Sequence, residues 1–150
     1  MRAWGIALLC LLTVVAGCST GRATGEEAVA NLHRLYTAGN YAEIYRSADP
    51  EYQKAGTESD NTRFFEGLVR TLGAFKTATP AGWRTFVGTG GRQITLVYES
   101  EFQKGHAKET FVWRLNGDQA ALIGYHVDSP LFVTQLRDRR PPAADQNNRP

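Results

Sequence analysis

Residues 93–116, QITLVYESEFQKGHAKETFVWRLN, decide the fold. Ile94, Leu96 and Tyr98 alternate with Gln93, Thr95, Val97 and Glu99, the two-residue period of a strand with one buried face. Lys104-Gly105 supplies a two-residue hairpin turn. That turn sets Tyr98 opposite Phe111, Leu96 opposite Trp113 and Ile94 opposite Leu115, with Glu101 meeting Lys108 on the other face. Asn116-Gly117 signals the next hairpin. A strict two-residue loop there splits the apolar set across both faces. A three-residue loop that includes Asp118 groups Phe111 and Trp113 with Ala121, Ile123 and Tyr125, and is preferred. Upstream, residues 75–79 and 83–87 read as one strand interrupted at Pro80-Ala81-Gly82, with its turn at 88–91. The expected sheet is a four-stranded antiparallel meander with one aromatic, apolar face. Its other face carries Thr95, Val97, Glu99, Lys108, Thr110, Arg114 and His126, with Val112 and Leu122 interleaved.

Before the strands the period is helical. Thr24-Gly25-Glu26-Glu27 has the spacing of a capping box. Ala28, Val29, Leu32, Leu35 and Tyr36 follow at helical spacing, and Gly39 stops the helix. Asn40 caps a second helix over 41–47, which Asp49-Pro50 ends. A polar loop at 56–59 leads to a third helix over 60–72, striped by Phe64, Phe65, Leu68 and Leu72 and ended by Gly73. Three helices followed by an antiparallel sheet define an α+β domain with the helices on one face. This order, over about residues 25–129, resembles the NTF2-like (cystatin-like) superfamily, and most of all its uncharacterised secreted families. Leu72-Gly73 at the last helix end and Gly124-Tyr125 in the final strand carry that likeness. The resemblance implies a helical layer closing a curved sheet into a cone.

The chain has 150 residues and a net charge of +2, too little charge to argue for nucleic acid. Cys10 and Cys18 both fall in the first segment, so the rest carries no disulfide and no thiolate metal site. That segment runs from Met1-Arg2 through apolar GIALLCLLTVV, residues 5–15, to small Ala16 and Gly17. Charged, greasy, small is the order of a secretory signal. The apolar run is shorter than the ~20 residues a membrane-crossing helix needs. Val15-Ala16-Gly17-Cys18 resembles a bacterial lipobox, with Val15 replacing the commoner Leu. The resemblance implies a diacylglyceryl thioether on Cys18, cleavage before it, and acylation of the new amino group by a palmitate-like chain. One chain alone holds a membrane only marginally, whereas two or three do not let go. Ser19 in the next position implies sorting to the outer membrane, facing the periplasm. The expected organisation is a signal peptide at 1–17, the lipidated cysteine and a flexible tether at 18–25, a domain at 26–136, and a disordered tail at 137–150.

Gly88, Gly90 and Gly91 join two strands and open no helix, so they are a turn and not a phosphate loop. His33, His106 and His126 fall on different elements, so no metal or other cofactor is expected. Ser100 and Ser129 lack a nucleophile-elbow context. Glu109 breaks its pattern. It lies on the aromatic face between Ala107 and Phe111, where desolvation penalises a charge. Tyr98, Glu109, Phe111, Trp113 and Tyr125 form the candidate ligand pocket, with Glu109 as the one candidate acid or base. Ketosteroid isomerases of the NTF2-like superfamily use acids and tyrosines inside the cone, and the resemblance extends that use to Glu109. No catalytic set converges, so the leading expectation is a binding or interaction domain, held at the membrane, for a protein or a small apolar ligand. An enzyme built on Glu109 comes second. A structural subunit of an envelope complex, or a homodimer through the outer sheet face, comes third.

Overall fold

The computed structural model describes residues 19–133. The signal segment, Cys18 and the tail from residue 137 lie outside them. Four helices come first: α1 Ser19–Thr37, α2 Tyr41–Arg46, α3 Pro50–Lys54 and α4 Glu58–Leu72. Four strands follow: β1 Phe75–Gly88, β2 Gly91–Phe102, β3 Gly105–Asn116 and β4 Gln119–Asp128. They form one antiparallel sheet in the order β1-β2-β3-β4, with the helices on one side. A helical turn at 130–133 follows β4. This is the expected α+β class.

The start of α1 departs from expectation. Residues 19–25 are helical, so the stretch expected as a tether belongs to the folded domain and the Thr24 capping box lies mid-helix. Its glycines serve packing. A Cβ on Gly25 would meet Leu96 Cδ1 at 3.0 Å and Ile94 Cγ2 at 3.1 Å, and one on Gly21 would meet Leu115 Cδ1 at 3.1 Å. Two glycines one turn apart thus let the helix lie directly on β2 and β3. Gly25→Val should therefore destabilise the domain by about 1–3 kcal/mol through overpacking. An unchanged urea midpoint would return the stretch to a tether.

Asp49-Pro50 starts a helix where a helix end was expected. The Asp49 carboxylate accepts from the Glu51 amide at 2.9 Å as the N-cap of α3, and Pro50 takes the first position, where its missing amide costs nothing. Asn40 precedes α2 as expected but makes no side-chain capping bond. α4 begins two residues early, at a capping box between Thr57 and Asp60. The Thr57 hydroxyl, its amide and Arg63 lower the Asp60 carboxyl from 3.8 to about 2. Phe65 and Leu72 are fully buried, whereas Phe64 leaves the expected stripe at 43 % exposure.

The sheet keeps the expected faces but not the expected register. β2 and β3 pair Tyr98 with Glu109, Leu96 with Phe111 and Ile94 with Trp113, two residues from the predicted pairs. The hairpin loop is Gln103-Lys104, not Lys104-Gly105. Its amides donate to the Ala74 and Leu72 carbonyls at 2.8 and 2.9 Å, so the end of α4 selects the turn. A shift of two preserves which side chains face inward. Between β3 and β4 the loop is the two-residue Gly117-Asp118, with Gly117 at φ 61°. A bulge at Ile123 then puts both Leu122 and Tyr125 on the inner face, opposite Trp113 and Phe111. Leu122, expected among the polar residues, is in the core at 2 % exposure. In β1 one extra residue is Ala81, at the expected interruption, and another is Lys76 near the start of the strand.

Arg114 does not lie on a free polar face. Its Nε donates to Asp49 Oδ2 at 2.7 Å and its Nη2 to Glu51 Oε2 at 2.6 Å, tying β3 to α3. Burial alone would raise the Asp49 carboxyl, but the Glu51 amide and Arg114 outweigh it and hold it below its usual range. The interior between helices and sheet is filled by side chains such as Phe65, Phe111, Leu72 and Ile94. The void beside Trp113 and Leu122 measures only about 80 Å³.

Candidate functional site

Four elements converge on Glu109, which has no exposed surface. His33 comes from α1, Ser100 from β2, Glu109 from β3 and Tyr125 from β4. The Ser100 hydroxyl donates to Glu109 Oε2, and the Tyr125 hydroxyl donates to Oε1. His33 Nε2 lies 2.8 Å from Oε2. The two groups share one hydrogen across that contact. A buried carboxylate is tolerated when its lone pairs are taken up in this way.

The surroundings hold Tyr125 as a donor. Burial first, and then the neighbouring Glu109 charge, push the Tyr125 phenol well above its usual range, so it keeps its proton. Tyr36 is raised for the same first reason and donates to the Gly73 carbonyl at 2.9 Å. The His33 ring stacks on Phe75 with 3.9 Å between centroids and meets the edge of Phe111 at 5.7 Å. Phe111 in turn stacks on Tyr125 at 5.0 Å.

Of the five pocket residues expected from sequence, Glu109, Phe111 and Tyr125 meet directly. Tyr98 is paired with Glu109 in the register yet makes no hydrogen bond to it, and packs its ring against Phe111 at 5.9 Å. Trp113 lies one pair further on. Its Nε1 is the one buried side-chain polar atom without a partner among the described residues. The rings around Glu109 close on one another, so the expected pocket at this point is solid core.

The open space lies to the side. A groove of about 670 Å³ runs between α1 and β1, with Val29, His33, Phe75, Ala78 and Tyr98 in its wall and Glu26, Arg34 and Lys76 at its rim. His33 belongs to both places. One edge of its ring bonds Glu109, and Nδ1 has no hydrogen bond among the described residues. On the far side, Tyr125 borders a cleft of about 250 Å³ with Tyr52 and Phe64.

Sequence reasoning missed His33 and Ser100. Both were legible. His33 stands four residues after Val29 and three before Tyr36, on the buried stripe of α1. Ser100 continues the inward series Ile94, Leu96, Tyr98. His106 and His126 are exposed and apart from His33. Among the described residues no group of three or more His, Cys, Asp or Glu could hold a metal, and no helix is long and apolar enough to cross a membrane. No family model matches the chain, and no curated protein sequence does.

Proposed function

We propose that this protein is a lipid-anchored lipoprotein of the bacterial envelope whose domain binds a small amphipathic molecule in the α1–β1 groove. One observation carries the binding role. The only residue singled out for acid–base chemistry, Glu109, is sealed under three hydrogen bonds, while a partly apolar groove of about 670 Å³ lies open beside it. A volume of about 670 Å³ is within the range of small-molecule sites. The apolar wall suits a hydrocarbon body, and Arg34 and Lys76 at the rim suit an anionic end. The anchor rests on Val15-Ala16-Gly17-Cys18, and the outer-membrane address on Ser19. The likeness to NTF2-like domains rests on the order of elements.

The probe for the groove is anilinonaphthalene sulfonate, an apolar anion that fluoresces when bound. Ala78→Trp, which fills the wall from β1, should weaken its binding about tenfold or more, a loss of about 1.4 kcal/mol. Equal binding by the two proteins would remove the groove from the account. For the anchor, Cys18→Ser should abolish labelling by radioactive palmitate.

A second reading has one observation in its favour. His33 faces the groove wall with a buried carboxylate behind it, the arrangement that orients a histidine as a base. Catalysis would then run through His33, with Glu109 positioning it. The molecule extracted from purified protein separates the readings: a binder returns it chemically unchanged.

A further inference from the structure

The end of the sheet nearest the proposed anchor is apolar and uncovered. Residues 79–90 are all exposed. Among the large apolar side chains most exposed in the described residues, Trp83 at 52 %, Phe86 at 64 % and Val87 at 74 % fall within five positions of one another. They lie on both faces of the β1–β2 hairpin. Trp83 pairs with Leu96 and Val87 with Arg92, on the face turned toward α1, whereas Phe86 pairs with Gln93 on the opposite face. An exposed apolar patch of this kind marks a contact surface.

The first turn of α1 sits against this same hairpin. A Cβ on Gly21 would lie 3.0 Å from Arg92 Nη2, and the Arg22 guanidinium is 5.6 Å from the centre of the Trp83 ring. Cys18 is three residues before Gly21 in the chain. Successive Cα atoms are about 3.8 Å apart, so acyl chains on Cys18 leave the chain within roughly 10–12 Å of that turn. Arg84 and Arg92 have no carboxylate partner among the described residues; Arg22 is paired with Glu26.

We propose that the β1–β2 hairpin, through Trp83, Phe86 and Val87, rests in the headgroup region of the phospholipid bilayer to which Cys18 is anchored. The proposal rests on acylation of Cys18, which places a bilayer at this end of the domain. Three features choose lipid over a protein partner. The apolar side chains are on both faces of the hairpin, and a fluid interface surrounds a hairpin where a single docking surface covers one face. Tryptophan prefers the interface, where its ring is in the apolar zone and its N–H remains wet. The two unpaired arginines meet anionic headgroups. The domain is then held by two points, chain and hairpin, with a fixed face toward the membrane.

Tryptophan fluorescence tests this directly. The full protein, purified from a bacterial host, is reconstituted into phosphatidylethanolamine–phosphatidylglycerol vesicles containing a brominated lipid, beside the Trp83→Phe protein. Trp113, which is buried, and Trp4, where the first segment is retained, are common to both. The wild type should show a blue-shifted emission component that the brominated lipid quenches and that Trp83→Phe lacks. Serine at both Phe86 and Val87, exposed positions outside the core, should return Trp83 towards its aqueous emission. Equal quenching of wild type and Trp83→Phe overturns the proposal, including the case in which a second copy of the chain shields Trp83. Palmitate labelling of the same preparation reports the anchor separately. Labelled protein without Trp83 quenching keeps the anchor and loses the docking. In unlabelled protein the anchor reading fails, and the same difference in quenching still decides the hairpin.

Discussion

Glu109→Ala should cost the domain about 3–5 kcal/mol, the loss expected when one member of a buried polar group is deleted. The substitution removes the single acceptor on which Ser100, Tyr125 and His33 all converge. Ser100 is 2 % and His33 7 % exposed, so both donors would be left in a poorly hydrated interior. For a domain of this size each kcal/mol moves the melting temperature by several degrees, so a fall on the order of 10–25 °C is expected. Glu109→Gln separates charge from shape. It keeps the volume but turns one acceptor into a donor facing donors, and should cost about 1–3 kcal/mol. A melting temperature within a degree or two of wild type in both variants would show that the network holds nothing together. The readout is thermal unfolding by circular dichroism, which needs no knowledge of the ligand.

The second large effect concerns Phe111, which has no exposed surface. Its ring stacks on Tyr125 at 5.0 Å and on Trp113 at 6.3 Å, and meets the edges of Tyr98 and His33 at 5.9 and 5.7 Å. Alanine there should destabilise by about 3–5 kcal/mol, transfer and cavity terms together. The cavity would open against the His33 ring and the ring whose hydroxyl bonds Glu109. Phe111→Ala should therefore also loosen the groove wall. Dye binding per folded molecule is expected to weaken, whereas Phe64→Ala, at a half-exposed position outside this ring cluster's centre, should leave it intact. Should Phe111→Ala unfold the chain outright, Phe111→Leu keeps most of the volume and allows the same comparison.

Much of this arrangement was legible in the residues. Ile94, Leu96 and Tyr98 in β2, and Phe111 and Trp113 in β3, alternate so regularly that only one face can be buried. The same alternation placed Glu109 among the rings. Other features escaped because their causes lie far along the chain. The Gln103-Lys104 turn is held by carbonyls at the end of α4, some thirty residues earlier. The partners of Glu109 include His33, whose separation of 76 residues no local pattern can bridge. The glycines of residues 19–25 read locally as flexibility, yet in α1 they permit contact with Leu96, Ile94 and Leu115. Leu122 and Tyr125 share a face only because Ile123 is bulged, and a strict period of two cannot anticipate an extra residue.

By itself, then, the sequence determined the class of fold, the inward face of the sheet and the carboxylate that breaks it, and it supplied the lipobox pattern on which the proposed anchor rests. These are matters of local chemistry and of period, which successive residues carry with them. The tertiary structure alone decided that Glu109 is enclosed, that His33 and Tyr125 are the members of its network that border open space, and that the groove lies between α1 and β1. Each of these depends on which distant surfaces meet, and burial, hydrogen-bond satisfaction and cavities are properties of surfaces in contact, not of neighbouring residues.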